Sequence, residues 1–97
     1  MELSEKIVLL TGASGGIGKP LLEHLNRNVK ILIGSGRKNL QDFTRIKEDE
    51  KFNYMPMDLN SEDNIKFLFS YINDEYGRLD AIINAIGGRL SSQPIEE

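Results

Sequence analysis

The segment Leu9–Pro20, LLTGASGGIGKP, carries four glycines within the seven residues from Gly12 to Gly18, directly after an apolar run. That density lets the chain turn sharply and lets backbone come close to a ligand or a neighbouring element where a side chain would intrude. The run ahead of it, Lys6–Leu10, is short and rich in leucine and β-branched residues, and reads as a buried strand followed by a glycine turn. Beyond it, Ile17, Leu21, Leu22 and Leu25 recur at helical spacing, which predicts a helix from about Gly16 to Asn28. Pro20 falls in its first turn, where a missing N–H has few partners to lose. A strand, a glycine turn and a helix in this order suit a phosphate-binding loop, because a helix N-terminus presents N–H groups and a partial positive charge.

The remaining chain repeats the alternation. Val29–Ile33 reads as a second strand, closed by the loop Gly34-Ser35-Gly36-Arg37. Leu40, Phe43 and Ile46 suggest a short helix, followed by the solvated turn KEDEK. Phe52–Met57 is a third, weaker strand interrupted by Pro56. Asn60 or Ser61 suits an N-cap, with Glu62 and Asp63 at the positive helix end. The helix that follows carries Ile65, Leu68, Phe69, Ile72 and Tyr76 on one face and stops at Gly77. Leu79–Ile83 is a fourth strand, and the last nine residues are polar and read as loop. Strands alternating with helices imply an α/β fold with a parallel sheet and helices on both faces. The unalternated strands two and four fit burial on both sides.

Composition removes several function classes. Ninety-seven residues suffice for one domain, with 39% hydrophobic and 28% charged residues, as in a soluble globular protein. A net charge of −3, without a block of one sign, favours neither nucleic acid nor an anionic membrane. With no cysteine there is no disulfide, thiolate chemistry or zinc-thiolate site, and the lone His24 cannot build a His-rich metal site. His24 reads as a surface helix residue. MELSEK has no apolar signal region, so a cytoplasmic protein is the expectation.

Two kinds of ligand use such a loop. A nucleoside-triphosphate loop needs G-x-x-x-x-G-K-[ST]; Gly18-Lys19 supplies the GK pair, but residue 13 is alanine and the hydroxyl position is Pro20. The simple dinucleotide pattern G-x-G-x-x-G also fails. T-G-x-x-x-G-x-G does fit, on Thr11, Gly12, Gly16 and Gly18. Its glycines would serve a turn after the strand, a close approach to pyrophosphate, and close packing of helix on strand.

TGASGGIG resembles the cofactor-binding segment of the short-chain dehydrogenase/reductase family, in its classical branch. Gly12, Gly15 and Gly18 satisfy the extended branch's spacing as well, so two later features separate the branches. Met57-Asp58-Leu59 follows the third strand, where classical members carry an aspartate that accepts from the adenine amino group. Asn84-Ala85-Ile86-Gly87 stands where they carry N-N-A-G, matching at Asn84 and Gly87 and departing at Ala85 and Ile86. The resemblance implies a Rossmann-like three-layer α/β/α fold with sheet order 3-2-1-4, here its N-terminal half as a single NAD(P)-binding domain over residues 1–97. It implies cofactor contacts from Gly12, Ser14, Gly15, Gly16, Ile17, Gly18, Arg37, Asp58, Leu59, Asn84, Ala85 and Gly87. The alternative for Asp58 is to cap a turn only, and for Asn84 to bridge strands one and four only.

At the end of strand two an acid would bind a ribose 2′-hydroxyl, whereas an arginine accommodates a 2′-phosphate. No Asp or Glu lies between Lys30 and Gln41; Gly36 stands at the acid's position and Arg37 follows, so NADP is expected over NAD. The family's other basic marker is absent, its position being Gly15. Lys38 reads as a solvated lysine. Family members interconvert carbonyls and alcohols through a tyrosine with a lysine four residues on, but Tyr54, Tyr71 and Tyr76 are followed there by Asp58, Glu75 and Asp80. No catalytic residue is therefore assigned, and the expectation is the N-terminal portion of a homo-oligomeric NADP(H) oxidoreductase for a small carbonyl or alcohol. The alternative is a stand-alone nucleotide-binding module, in which strand four would be an exposed apolar edge prone to self-association.

Overall fold

The computed structural model describes residues 2–85 and, as backbone, residues 91–94. Strand β1 (Ile7–Thr11) is buried throughout. Ile7 and Leu9 enter one apolar cluster, Val8 and Leu10 another. Covered on both faces, the strand has no polar side to show, which is why it reads as an unbroken apolar run. Helix α1 (Gly18–Asn28) covers the Val8 and Leu10 face with Leu22 and Leu25. It starts two residues later than expected because residues 12–17 are taken up by consecutive turns.

Strand β2 (Ile31–Gly36) runs on through the glycines that read as loop. A Cβ on Gly34 would lie 3.1 Å from both Leu22 Cδ1 and Tyr54 Cδ1, so this glycine lets α1 and the neighbouring strand crowd β2. The expected short helix shrinks to a single 3-10 turn, Leu40–Asp42. The Thr44 hydroxyl accepts from the Ile46 N–H at 3.3 Å, which takes up a donor that a helix would need. Leu40, Phe43 and Ile46 still pack onto the α1 side of the core.

Among the described residues, strand β3 (Phe52–Pro56) pairs only with β2, and an edge strand tolerates Pro56. Helix α2 (Glu62–Tyr76) is capped by Ser61, whose side chain accepts from the Asn64 N–H, and ends at Gly77 in the left-handed region at φ 75°. Leu68 and Ile72 pack on the Ile7, Leu9 and Ile33 face, but Ile65 and Phe69 stay exposed. The sheet covers only the flank of the apolar stripe on which Leu68 and Ile72 lie.

Strand β4 (Ala81–Asn84) is parallel to β1, so the four parallel strands stand in the order β3-β2-β1-β4, as expected. Ala81, Ile82 and Ile83 are only half-buried, unlike the fully covered β1. The polar tail differs from expectation. Ser91–Pro94 forms β5, antiparallel to β4, so β4 is not the open edge the sequence suggested. An antiparallel partner needs only a short reversal of the chain and the free backbone groups of β4, not an apolar pattern of its own.

Candidate functional site

The carboxyl ends of β1 to β4 open into one cleft of about 510 Å³, within the size range of small-molecule sites. Its floor is the turn after β1. Gly12 takes φ 71°, a left-handed conformation that suits glycine, and the Ala13 N–H donates to the Ser35 carbonyl at 3.0 Å, tying the turn to β2. Gly18 works differently. A Cβ there would fall onto the Gly12 carbonyl oxygen and lie 2.7 Å from Ala13 Cα, so its bare backbone lets α1 press on the turn. Gly16, in contrast, would carry a Cβ that meets nothing within 4 Å.

The second wall is the exit of β2. A Cβ on Gly36 would stand 2.6 Å from Ser14 Oγ, 2.9 Å from the Tyr54 hydroxyl and 3.0 Å from the Ser14 nitrogen. Any side chain at this position would have to displace Ser14 Oγ and the Tyr54 hydroxyl. Tyr54 is buried, with its ring 5.5 Å from that of Phe43 at 54°, and its hydroxyl donates to the Lys38 carbonyl at 2.6 Å. Burial pushes the phenol above its ordinary pKa, partly offset by hydrogen bonding with the Ser14 side chain.

From β3, the Met57 N–H donates to the Gly36 carbonyl at 2.8 Å. Asp58 Oδ1 accepts from the Asn60 N–H at 2.9 Å, and the Asp58 carbonyl accepts from Asn64 Nδ2 at 2.8 Å. This is the turn-capping role that the sequence left open for Asp58. Asp58 Oδ1 also lies 3.7 Å from Arg37 Nη2 across the rim, both side chains being largely exposed. At the other end, Thr11 Oγ1 donates to Asn84 Oδ1 at 2.9 Å, and the Ala85 N–H donates to the Thr11 carbonyl at 2.9 Å. Asn84 thus bridges β1 and β4.

Of the residues singled out in the sequence, Gly12, Ser14, Gly15, Gly16, Arg37, Asp58, Leu59 and Ala85 line the cleft. Ile17, Gly18 and Asn84 do not, and Gly87 lies outside the described residues. Gly36, Lys38, Met57 and Asn60 line it without having been assigned a role there. In the sequence, Tyr54 stands out only as a tyrosine with no lysine four residues on. Its link to Lys38 depends on β3 lying beside β2, and no local motif announces that.

A cleft at the carboxyl ends of parallel strands ordered 3-2-1-4, with a glycine turn leading into a helix, defines a Rossmann-type α/β protein. The family can be given as well: residues 6–97 match the short chain dehydrogenase family model, and the chain belongs to that oxidoreductase family. It is 31% identical over 100 residues to a 3beta-hydroxysteroid dehydrogenase of Mediterraneibacter gnavus, covering 99% of this chain and 36% of the relative. An uncharacterised oxidoreductase of Staphylococcus aureus is 29% identical over 93 residues, with 94% of this chain and 40% of that protein covered. The chain therefore spans well under half the length of these relatives. Among solved structures, a short chain dehydrogenase of Leptospira borgpetersenii with bound NAD+ superposes with TM-score 0.71 at 25% identity, covering 86% of this chain and 32% of that one. A short chain dehydrogenase of Bacillus anthracis shares the fold, with TM-score 0.70 at 23% identity, covering 87% of this chain and 36% of its own.

Proposed function

We propose that this chain is the cofactor-binding part of an NADP(H)-dependent oxidoreductase that interconverts a small carbonyl and an alcohol, acting as a homo-oligomer when whole. The cleft suits a dinucleotide. Bare backbone at Gly12, Gly15 and Gly16 forms one wall, and the cations of Arg37 and Lys38 stand on another. The turn leads into the N-terminus of α1, which favours pyrophosphate. Asp58, Leu59 and Ala85 would flank the adenine and ribose end. Ile17, Gly18 and Asn84 would act from behind this surface, with Gly18 seating the helix and Asn84 holding β4 to β1. When bound, the nicotinamide supplies or accepts the hydride; the residues of this chain bind and orient the dinucleotide. No tyrosine here has a lysine four residues on, so no proton-transfer role is assigned to them.

The observation that carries the choice of NADP is Gly36. A side chain there would have to displace Ser14 Oγ and the Tyr54 hydroxyl, glycine stands where the acid that selects a free 2′-hydroxyl would be, and Arg37 follows directly. The test is calorimetric titration of Arg37→Ala with both cofactors. Loss of a charge-assisted hydrogen bond predicts roughly tenfold weaker NADPH binding with NADH nearly unchanged. Equal loss for both cofactors overturns the assignment. The pairing of β5 with β4 favours a second reading, a nucleotide-binding module without catalysis, since it covers the apolar edge of β4.

A further inference from the structure

We propose that Tyr54 is a positioning residue whose hydroxyl sets the cleft's preference for a dinucleotide bearing a 2′-phosphate, by holding the Arg37 backbone at a fixed distance from Ser14. This rests on the NADP reading above and names the residue that enforces it.

The Arg37 side chain is largely exposed, and its partner in the described structure is Asp58 at 3.7 Å. An exposed pair of that length does little to hold the guanidinium in place. Its backbone is held firmly on both sides. The Gly36 carbonyl accepts from the Met57 N–H at 2.8 Å, and the Lys38 carbonyl accepts from the Tyr54 hydroxyl at 2.6 Å. Both anchors come from β3 or its exit, so Arg37 springs from a segment clamped to its neighbouring strand at the residues before and after it.

The same hydroxyl reaches the glycine turn. The point where a Gly36 Cβ would sit is 2.9 Å from the Tyr54 oxygen and 2.6 Å from Ser14 Oγ, so both oxygens crowd that one small space. Tyr54 therefore joins the two walls of the cleft, Ser14 on one and the Arg37–Lys38 segment on the other. It also fills the space an acid at position 36 would need. Phenylalanine would serve as well for packing, since the ring is already buried against Phe43. A buried hydroxyl costs desolvation unless it is hydrogen-bonded, and here its bond goes to the segment that carries the cation.

The experiment compares wild type, Tyr54→Phe and Arg37→Ala by calorimetric titration with NADPH and with NADH. Tyr54→Phe is expected to lower the NADPH-over-NADH affinity ratio about fivefold, the effect of one lost hydrogen bond. A merely structural role would weaken both cofactors alike and leave the ratio unchanged, and that result overturns the proposal. Should Tyr54→Phe not fold, Gly36→Ala displaces the same hydroxyl, and the same ratio is read. If Arg37→Ala lowers the ratio while Tyr54→Phe does not, the positioning role fails and the NADP reading stands. If Arg37→Ala weakens both cofactors equally, the NADP reading fails and takes this inference with it.

Discussion

Gly16 and Gly18 lie two residues apart in one motif, yet alanine at each should have opposite consequences. At Gly18 the new methyl would land on the Gly12 carbonyl and within 2.7 and 2.8 Å of Ala13 Cα and C. These are backbone atoms and cannot rotate away, so relief requires lifting α1 off the turn. Overpacking costs about 1–3 kcal/mol, and a clash with backbone belongs at the upper end. The better helix propensity of alanine returns part of this, leaving a net loss of about 2 kcal/mol. For a domain of this size that is a fall in Tm of about 8–16 °C. At Gly16 the methyl meets nothing within 4 Å, and φ is positive only at Gly12 and Gly77 among the described glycines. Gly16→Ala should therefore leave Tm unchanged or raise it by a few degrees, since reduced unfolded-state entropy contributes about 0.4–1 kcal/mol. Gly16 does line the cleft, so the same methyl stands where a pyrophosphate would approach, and NADPH binding should weaken roughly tenfold or more. Ligand-free melting by circular dichroism and calorimetric titration separate the two effects. The reasoning is refuted if Gly16→Ala melts as low as Gly18→Ala, or binds NADPH as tightly as wild type.

Two further predictions concern the frame that holds the cleft. Asp80 Oδ2 accepts from the Ile7 N–H at 2.7 Å and from Arg78 Nε at 3.2 Å, and the backbone bond first of all holds its carboxyl below the ordinary range. Because the folded pKa is the lower one, this stabilisation is complete above the unfolded value of about 3.9 and is lost as pH falls through the folded value. Asp80→Asn should cost about 1–2 kcal/mol at neutral pH and flatten the fall in Tm below about pH 4; an acid limb as steep as that of wild type would contradict it. Phe52 is 1% exposed in the α1-side cluster, so Phe52→Ala should cost about 3–5 kcal/mol in urea unfolding. A loss below about 1.5 kcal/mol would show that the cluster repacks.

Much of the fold was legible because its signals are local. The apolar run of β1, the Ser61 cap, the Gly77 stop and the period of α1 each depend on a few neighbouring residues. Apart from the 40–46 helix, lost to a local Thr44–Ile46 bond, and the late start of α1, the misreadings needed a partner from elsewhere. Gly34 and Gly36 resemble a loop until Tyr54, Leu22 and Ser14 are packed against them. Ile65 and Phe69 match the stripe of α2, but how much of that stripe is covered depends on the angle at which the sheet receives the helix. Ser91–Pro94 has no strand pattern and pairs because β4 offers it an edge. The cleft divides in the same way: the glycine turn, Arg37 and Asp58 stand in local motifs, whereas Tyr54 enters through the β2–β3 register that sets Gly34 opposite it.

That register also explains why the cleft can be preformed and still admit a ligand. Its fixed parts are backbone: the turn tied to β2 through Ala13 and Ser35, and the Gly36 and Lys38 carbonyls held from β3 and its exit. Its charged parts are loose. The Arg37–Asp58 pair spans 3.7 Å with both side chains largely exposed, and a pair of that kind contributes about 0–1 kcal/mol. Parting the two charges to admit a dinucleotide between them therefore costs little. Asp58 loses little of its own support, because its Oδ1 also accepts from Asn60 and its carbonyl from Asn64. On the proposed reading the pair covers the adenosine end when the cleft is empty. Affinity then comes from what the guanidinium gains on exchanging a carboxylate for a phosphate, and that gain depends on how rigidly its backbone is held.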